Sequence, residues 1–368
     1  MLCAAYRQTV CNTFIAQIAA YCVSAFASGA MFYRWWRLGD EGRGKVWLLY
    51  GWFSGLMMCG SCVGAVTWAT WMQVIVYLMI GNDNLNMNLL QRRSHFALYN
   101  ALSRSWRAAF SVTYAIEFMC LSVAKLLVLD RMSNFAALRA GGLWRRWVVC
   151  QKFVMTAVVA GNLVGLAGNV AAAVHFQHAA EFYMSAHADF AANSSVGEET
   201  FRQGQIENRL GLFIASVQAF CEVVVLLLIV ASFAVVGIAC ARRISSVLTR
   251  LDAVEDMADG MHLRRQIAAT FGVVFVTFLL RSVYSTLYAV AYQLQDLDSP
   301  CPGNTQSFCN AACYNVFAHI VRWNFLTPEF QLIIVLISSP LALLVALWGM
   351  TSKSMRSYMQ RKHRETRL

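Results

Sequence analysis

Four ionisable side chains interrupt otherwise apolar runs of this chain: Glu117, Lys125, Glu222 and Arg281. A charge at the centre of a bilayer costs at least about 2.5–3.5 kcal/mol on insertion scales, so each must pair, bind a ligand or reach the interface. Glu117 and Lys125 are eight residues apart, about 12 Å along a helix and about 80° around it, and cannot pair directly. Their partners must come from other helices. Three chemistries fit: an ion pair that fixes helix register, a ligand pocket, or an ion or proton path. Lys125 has a further option, because its long stem can snorkel to the headgroups instead of serving a buried role.

The neighbours of these charges fall on defined helix faces. At about 100° per residue, Tyr284, Ser285, Tyr288, Tyr292 and Gln295 all lie within about 60° of Arg281, a polar and aromatic stripe. Val283, Ala289 and the Phe278 to Leu280 neighbourhood occupy the other side. Gln218 stands one turn before Glu222, and Thr113, Tyr114, Glu117 and Cys120 share a face. Where these faces converge, Arg281 can pair with Glu117 or Glu222, and tyrosine hydroxyls can satisfy the remaining acceptors.

The elements that carry them are transmembrane helices. The chain is 58% hydrophobic and 13% charged with four prolines, too little polar surface for a soluble protein of 368 residues. About 20 helical residues cross a hydrocarbon core about 30 Å thick. Seven segments meet that length: 10–33, 46–80, 108–130, 147–174, 209–240, 266–292 and 327–350. The runs are continuous rather than alternating, which argues against a strand barrel. The expected fold is therefore an all-α, polytopic seven-helix bundle as one domain over 1–350, followed by a basic tail at 351–368. Its first span doubles as the anchor, so no cleavable signal is needed.

Loop charge orients the bundle. Lysine and arginine collect at 34–45, at 131–146, at 242–265 and in the tail, the sides retained in the cytoplasm. Residues 177–208 carry Glu181, Asp189, Glu198, Glu199 and Glu207 against Arg202, with an Asn193-Ser194-Ser195 glycosylation acceptor. The amino terminus is thus expected outside and the carboxyl terminus in the cytoplasm, in the plasma membrane or a membrane of the secretory pathway. Two segments strain this scheme. Residues 46–80 are long for one crossing, and are expected to form a single helix that projects from the membrane. Arg92, Arg93, Arg104 and Arg107 in 82–107 lie on the outer side, where an amphipathic stretch on the membrane surface accounts for them. Small-residue patterns at Gly51/Gly55, Gly60/Gly64 and Gly161/Gly165, with Gly168 and Ala172, mark faces for close helix contact.

An outer amino terminus, seven spans and Asp130-Arg131-Met132 at the end of the third span resemble the G-protein-coupled receptors. The resemblance covers the chain as topology and these residues as motif. It implies that Asp130 and Arg131 hold an inactive state at the cytoplasmic face and couple to a signalling partner. The chain departs from the family: its sixth span lacks Cys-Trp-x-Pro, its seventh lacks Asn-Pro-x-x-Tyr, and Cys120 is too deep for the usual outer disulfide. Residues 327–350 contain no lysine for a retinal Schiff base.

Of twelve cysteines, Cys3, Cys301, Cys309 and Cys313 lie clearly on the outer side, where disulfides persist, and Cys301 with Cys309 or Cys313 is the expected bond. Cys59 and Cys62 form C-x-x-C inside an apolar run and read as packing. Cys240 borders the membrane beside Arg242, a placement that suits palmitoylation. His175, His178 and Glu181 share a broad helix face that suits either zinc or a solvated helix end; no metal or other cofactor is expected. No H-E-x-x-H, G-x-S-x-G, P-loop or dinucleotide fingerprint occurs, so no enzyme is expected. The net charge of +11 follows from inner-loop topology and attraction to anionic lipid, not nucleic acid. Arg242-Arg243-Ile244-Ser245 fits basic-directed kinases, and the terminal Glu365-Thr366-Arg367-Leu368 resembles a ligand for PDZ domains. The leading function is a receptor-like protein that senses a ligand in its outer half. The alternatives are a transporter or channel using the intramembrane charges, and a structural subunit of a membrane assembly.

Overall fold

The computed structural model describes residues 2–37, 45–82, 88–137, 142–192 and 194–248, then 265, 269, 272, 275, 276, 279–287, 289 and 290. They are helical: α1 (Leu2–Arg37), α2 (Lys45–Asn82), α3 (Leu89–Ala137), α4 (Gly142–Ala192) and α5 (Ser194–Leu248), with residues 279–287 also helical. All five named helices are long and apolar enough to cross a membrane, over Cys11–Arg37, Leu48–Gly81, Leu89–Asp130, Gln151–Phe190 and Ser195–Cys240. The protein is a helical membrane protein. The expected seventh span at 327–350, the tail, and Cys301, Cys309, Cys313, Asn193, Tyr288, Tyr292 and Leu368 lie outside the described residues.

Successive helices run antiparallel, as shown by which residues meet. Phe14 stacks on Trp68 while Phe32 lies against Gly55. Ser103 bonds to the Val74 carbonyl while Gly60 meets Cys120. Ser94 meets His187 while Ser133 meets Gln151 at the other end. At one end of the bundle, the head, α1 starts, α2 ends, α3 starts, α4 ends and α5 starts. The opposite end is the base.

The helices exceed what a bilayer requires. At 1.5 Å per residue, the 49, 51 and 55 residues of α3, α4 and α5 make rods of about 75–80 Å. The stretch 82–107, expected to lie along the membrane surface, is instead the first part of α3 from Leu89 onward. Residues 177–208 are likewise not an open loop but the end of α4 and the start of α5. Leu89–Arg107 is rich in strong helix formers, so once α4 and α5 offer a surface it continues the helix instead of breaking away. Together the three extensions make a helical head whose Ala97, Ala101, Ala179, Tyr183, Ala186 and Phe190 are buried around Phe201. Ser94 bonds to His187 Nδ1 at 2.7 Å, Thr200 to Asp189 at 2.8 Å, and His175 Nδ1 lies 2.8 Å from Glu207. α2 is one unbroken helix of 38 residues.

The tightest seam joins α4 to α5. In α4, Ala172, Ala179 and Ala186 alternate with Phe176, Tyr183 and Phe190 at heptad spacing, and all six are buried. In α5, Gly197, Gly204 and Gly211 recur every seven residues and receive the three rings in reverse order. A Cβ at these glycines would lie 2.6, 2.9 and 2.9 Å from Phe190, Tyr183 and Phe176 respectively. Deeper, the register persists with the sizes exchanged: α5 supplies Gln218 and Val225, which lie against Gly168 and Gly161 of α4. Knobs enter holes along an antiparallel pair, with small residues letting the backbones approach.

The glycine at 204 is therefore a hole already filled, whereas a Cβ at Gly165 would meet nothing nearer than Gln218 Nε2 at 3.7 Å. Gly204→Ala is expected to destabilise the bundle by about 1–3 kcal/mol through overpacking. Gly165→Ala is expected to be neutral or to stabilise by about 0.5–1 kcal/mol through helix propensity. Loss of the monodisperse size-exclusion peak on heating detergent-solubilised protein compares the two; equal midpoints would contradict the seam.

Candidate functional site

Each described element sends a polar or aromatic side chain to one level of the bundle. Tyr21 of α1 reaches Glu117 of α3, its hydroxyl donating to Oε1 at 2.6 Å. Gly64 of α2 makes this possible, because any side chain there would overlap the Tyr21 ring. One turn before Glu117, the Tyr114 hydroxyl donates to the Glu222 carboxylate of α5, 2.7 and 2.9 Å from its two oxygens. Arg281 Nη2 donates to that same hydroxyl at 2.7 Å and lies 3.8 Å from Glu222 Oε1. Ser285, one turn beyond Arg281, donates to Glu222 Oε1 at 3.2 Å. The Arg281 guanidinium also sits 5.6 Å from the Tyr114 ring centroid.

Between the two partners open to Arg281, the structure thus selects Glu222. Glu117 is held by Tyr21, and its Oε2 has no hydrogen-bond partner among the described residues. All three charged residues are 3–5% exposed. A buried pair survives only if its remaining acceptors and donors are satisfied, and here tyrosine and serine hydroxyls do so for Glu222.

Above this network, toward the head, lies a cavity of about 70 Å³. Glu222, Arg281, Tyr114 and Ser285 line its floor; Trp68, Trp71, Phe110 and Tyr284 are among its walls. Phe176 and Arg107 lie at its head side, the guanidinium 4.7 Å from the ring centroid. Gln218 lines it too, and a Cβ at Gly168 would sit 3.2 Å from that side chain. An accessible volume of this size holds several waters or a small ligand.

The remaining expected residues are distributed as follows. Tyr284 is buried at the cavity, whereas Ala289, expected on an outward face, is buried and its carbonyl accepts from Ser216. Val283 is exposed. Helix turns of 100° place Ala289 and Val283 too far apart to share one surface: six residues rotate by about 240°. Lys125 does not snorkel; it is 2% exposed, flanked on α3 by the buried Ala124 and Leu126. Thr113 bonds back to the Ala109 carbonyl, and Cys120 Sγ lies 3.9 Å from Cys59 Sγ. Near the base, Gln151 joins Asp130 and Ser133, donating to Asp130 at 3.2 Å. The Arg131 side chain lies outside the described residues. Cys240 is 3% exposed within the main apolar core, so it is not presented for acylation. His175 turns to Glu207 and Glu181 is exposed; among the described residues no group of three His, Cys, Asp or Glu is arranged to hold a metal.

Spans one, two and four contribute Tyr21, Trp68, Trp71, Asn169 and Phe176 to the site. The sequence signal for Tyr21 was the glycine opposite it; for Phe176 it was the alternation of alanine and aromatic residues. Arg107, taken as an anomaly of loop charge, lies beside the cavity. Comparison with protein-family profiles, curated proteins and solved structures finds no match.

Replacing Arg281 by Met leaves Glu222 buried without its cation, a change expected to cost about 3–5 kcal/mol. Adding Glu222→Gln should recover part of the loss in thermal stability, while adding Glu117→Gln should not. Equal rescue by the two second-site changes, read as melting midpoints in detergent, would contradict the pairing.

Proposed function

We propose that the chain is an integral membrane receptor-like protein that binds a small ligand in the cavity and relays its presence toward the base. The observation that carries this reading is the position of Tyr114 and Glu222. They line the cavity and also join α3, α5 and residues 279–287, so a ligand contacting them acts on three elements at once. Ligand action requires unequal affinity for two arrangements of those elements. The cluster Asp130, Gln151 and Ser133 ties α3 to α4 at the base, where the resemblance to G-protein-coupled receptors puts coupling through Asp130 and Arg131.

In this proposal seven spans place the head and the amino terminus outside and the carboxyl tail in the cytoplasm, in the plasma membrane or a secretory-pathway membrane. Arg242, Arg243, Arg250, Arg264 and Arg265 of the third inner loop, with Arg131, face a signalling partner; Leu368 engages a PDZ-type partner. Support comes from the acidic bias and sequon of the α4 to α5 hairpin and the basic residues near the base. Endoglycosidase treatment should shift the wild-type band on a gel and leave Asn193→Gln unshifted, and a carboxyl-terminal tag should resist protease added to intact cells. A tag cleaved on intact cells would reverse the orientation.

One observation favours a second reading, transport of ions or protons: Glu117 is a buried carboxylate, one of whose oxygens has no hydrogen-bond partner among the described residues, in the same bundle as Glu222 and Arg281. Proteoliposomes separate the two. The receptor reading expects no proton or ion flux that differs between wild type and Glu222→Gln, and a current abolished by Glu222→Gln would replace it with transport.

A further inference from the structure

We infer that Cys59 and Cys120 form an oxidisable thiol pair between α2 and α3, closed to a disulfide by a quinone dissolved in the lipid. The inference does not rest on the receptor reading, since neither cysteine lines the cavity. The C-x-x-C spacing in α2 joins Cys59 to Cys62 in sequence, but in space the Cys59 sulfur meets Cys120 of α3. The two Sγ atoms lie 3.9 Å apart, and both cysteines are free. A disulfide requires about 2.05 Å, so the sulfurs must close by about half their separation. The adjustment falls to Cys59, whose exposed side chain turns about its Cα–Cβ bond without displacing a packed neighbour. Gly60 keeps the helices close enough for this: a Cβ there would lie 3.2 Å from the Cβ of Cys120.

Sulfur reacts as the thiolate, so a thiol in apolar surroundings needs a proton acceptor beside it. Glu117 supplies one. It stands three residues before Cys120 on α3, which makes the two side chains neighbours on one helix face. Tyr21 occupies its Oε1, and Oε2 has no hydrogen-bond partner among the described residues. The oxidant is set by where the exposed thiol lies. Cys59 is within the apolar span Leu48–Gly81 and Cys120 within Leu89–Asp130, so the accessible sulfur faces lipid rather than water. A charged oxidant such as oxidised glutathione is kept from that layer by the cost of burying its charges. A quinone with an apolar tail dissolves in it and accepts two electrons.

The step balances without a further reagent. The Cys59 sulfur adds to a quinone carbonyl carbon as its proton passes to the carbonyl oxygen. Cys120 gives its proton to Glu117 and attacks the Cys59 sulfur. The sulfur–sulfur bond forms, the carbon–sulfur bond breaks, and its electron pair stays with the ring. Glu117 then returns the proton, and the quinone leaves as quinol with the two electrons and two hydrogens of the thiols. The bond fixes α2 to α3 one turn from Glu117, so the redox state of the membrane sets whether these two helices can separate.

The test mixes reduced, full-length protein in phosphatidylcholine nanodiscs with decylubiquinone, a fully substituted benzoquinone with no free ring position for permanent arylation. Peptide mapping by mass spectrometry reads the bond, and quinone absorbance reads the oxidant. The expected result is a peptide pair joined through Cys59 and Cys120, one quinone consumed for each bond, and a higher melting midpoint. Cys59→Ala, at an exposed site, should lose the bond and its share of quinone consumption, while Cys62→Ala should keep both. Glu117→Gln, which can still accept from Tyr21, should form the bond at least about tenfold more slowly, the loss of a general base. Absence of the Cys59 to Cys120 peptide pair, a bond from Cys59 to Cys62 in its place, or oxidised glutathione acting as fast as the quinone overturns the inference. An unchanged rate in Glu117→Gln overturns the role of Glu117. Wild type and Cys59→Ala decide the thiol pair even where Glu117→Gln does not fold.

Discussion

A single phenol holds the centre of this bundle together. The Tyr114 hydroxyl donates a hydrogen bond to Glu222 and accepts one from Arg281, so a carboxylate and a guanidinium 3.8 Å apart are linked through a neutral group. Neither charge belongs in a hydrocarbon layer by itself. Arranged through the phenol, each has a directed hydrogen bond, and the segment carrying Arg281 is bound to α3 and α5 by geometry as well as by apolar contact. In a membrane interior, where lipid is as apolar as leucine, such directed bonds and close packing supply specificity that hydrophobic burial cannot.

The α4 to α5 seam gives that centre a rigid extension. The same seven-residue register runs from Gly197 at the head to Val225 inside the bundle, and Gln218, one turn before Glu222, is one of its members. Phe176, another member, lines the cavity and carries Arg107. The head and the cavity are thus joined through interlocked rings and glycines, without any loop in between. Packed interfaces of this kind shift between discrete arrangements more readily than they stretch.

Much of the core was legible because a charge in an apolar run has so few explanations. Glu117, Glu222 and Arg281 stood out from cost alone, and the stripe of Arg281, Tyr284 and Ser285 followed from helical spacing. The choice of Glu222 over Glu117 was not legible, since it depends on Tyr21 arriving from α1 to occupy Glu117. Tyrosine in an apolar run carries no insertion penalty large enough to draw notice. The head was misread for a different reason. Charge in 82–107 and 177–208 signals water, and water was equated with loop. The signal that mattered was periodic: alanine and aromatic residues alternating at heptad spacing in α4, with glycine every seventh residue in α5. Hydropathy averaged over a window hides that pattern, because glycine and alanine score as nearly neutral.

The second glutamate still requires an explanation in terms of the whole interior. In their ordinary charged forms Glu117, Glu222, Arg281 and Lys125 sum to zero, and all four are buried. Glu222 and Arg281 approach within ion-pair distance of one another; Glu117 and Lys125 do not reach one another, being about 12 Å apart along one helix. Low dielectric extends the reach of charge, so a carboxylate and an ammonium that never touch still lower one another's cost more than they would in water. Lys125 lies inside the core rather than at the headgroups where its stem could carry it. The short-range pair orders the helices, and Glu117 and Lys125, both buried, add opposite charges to the same interior.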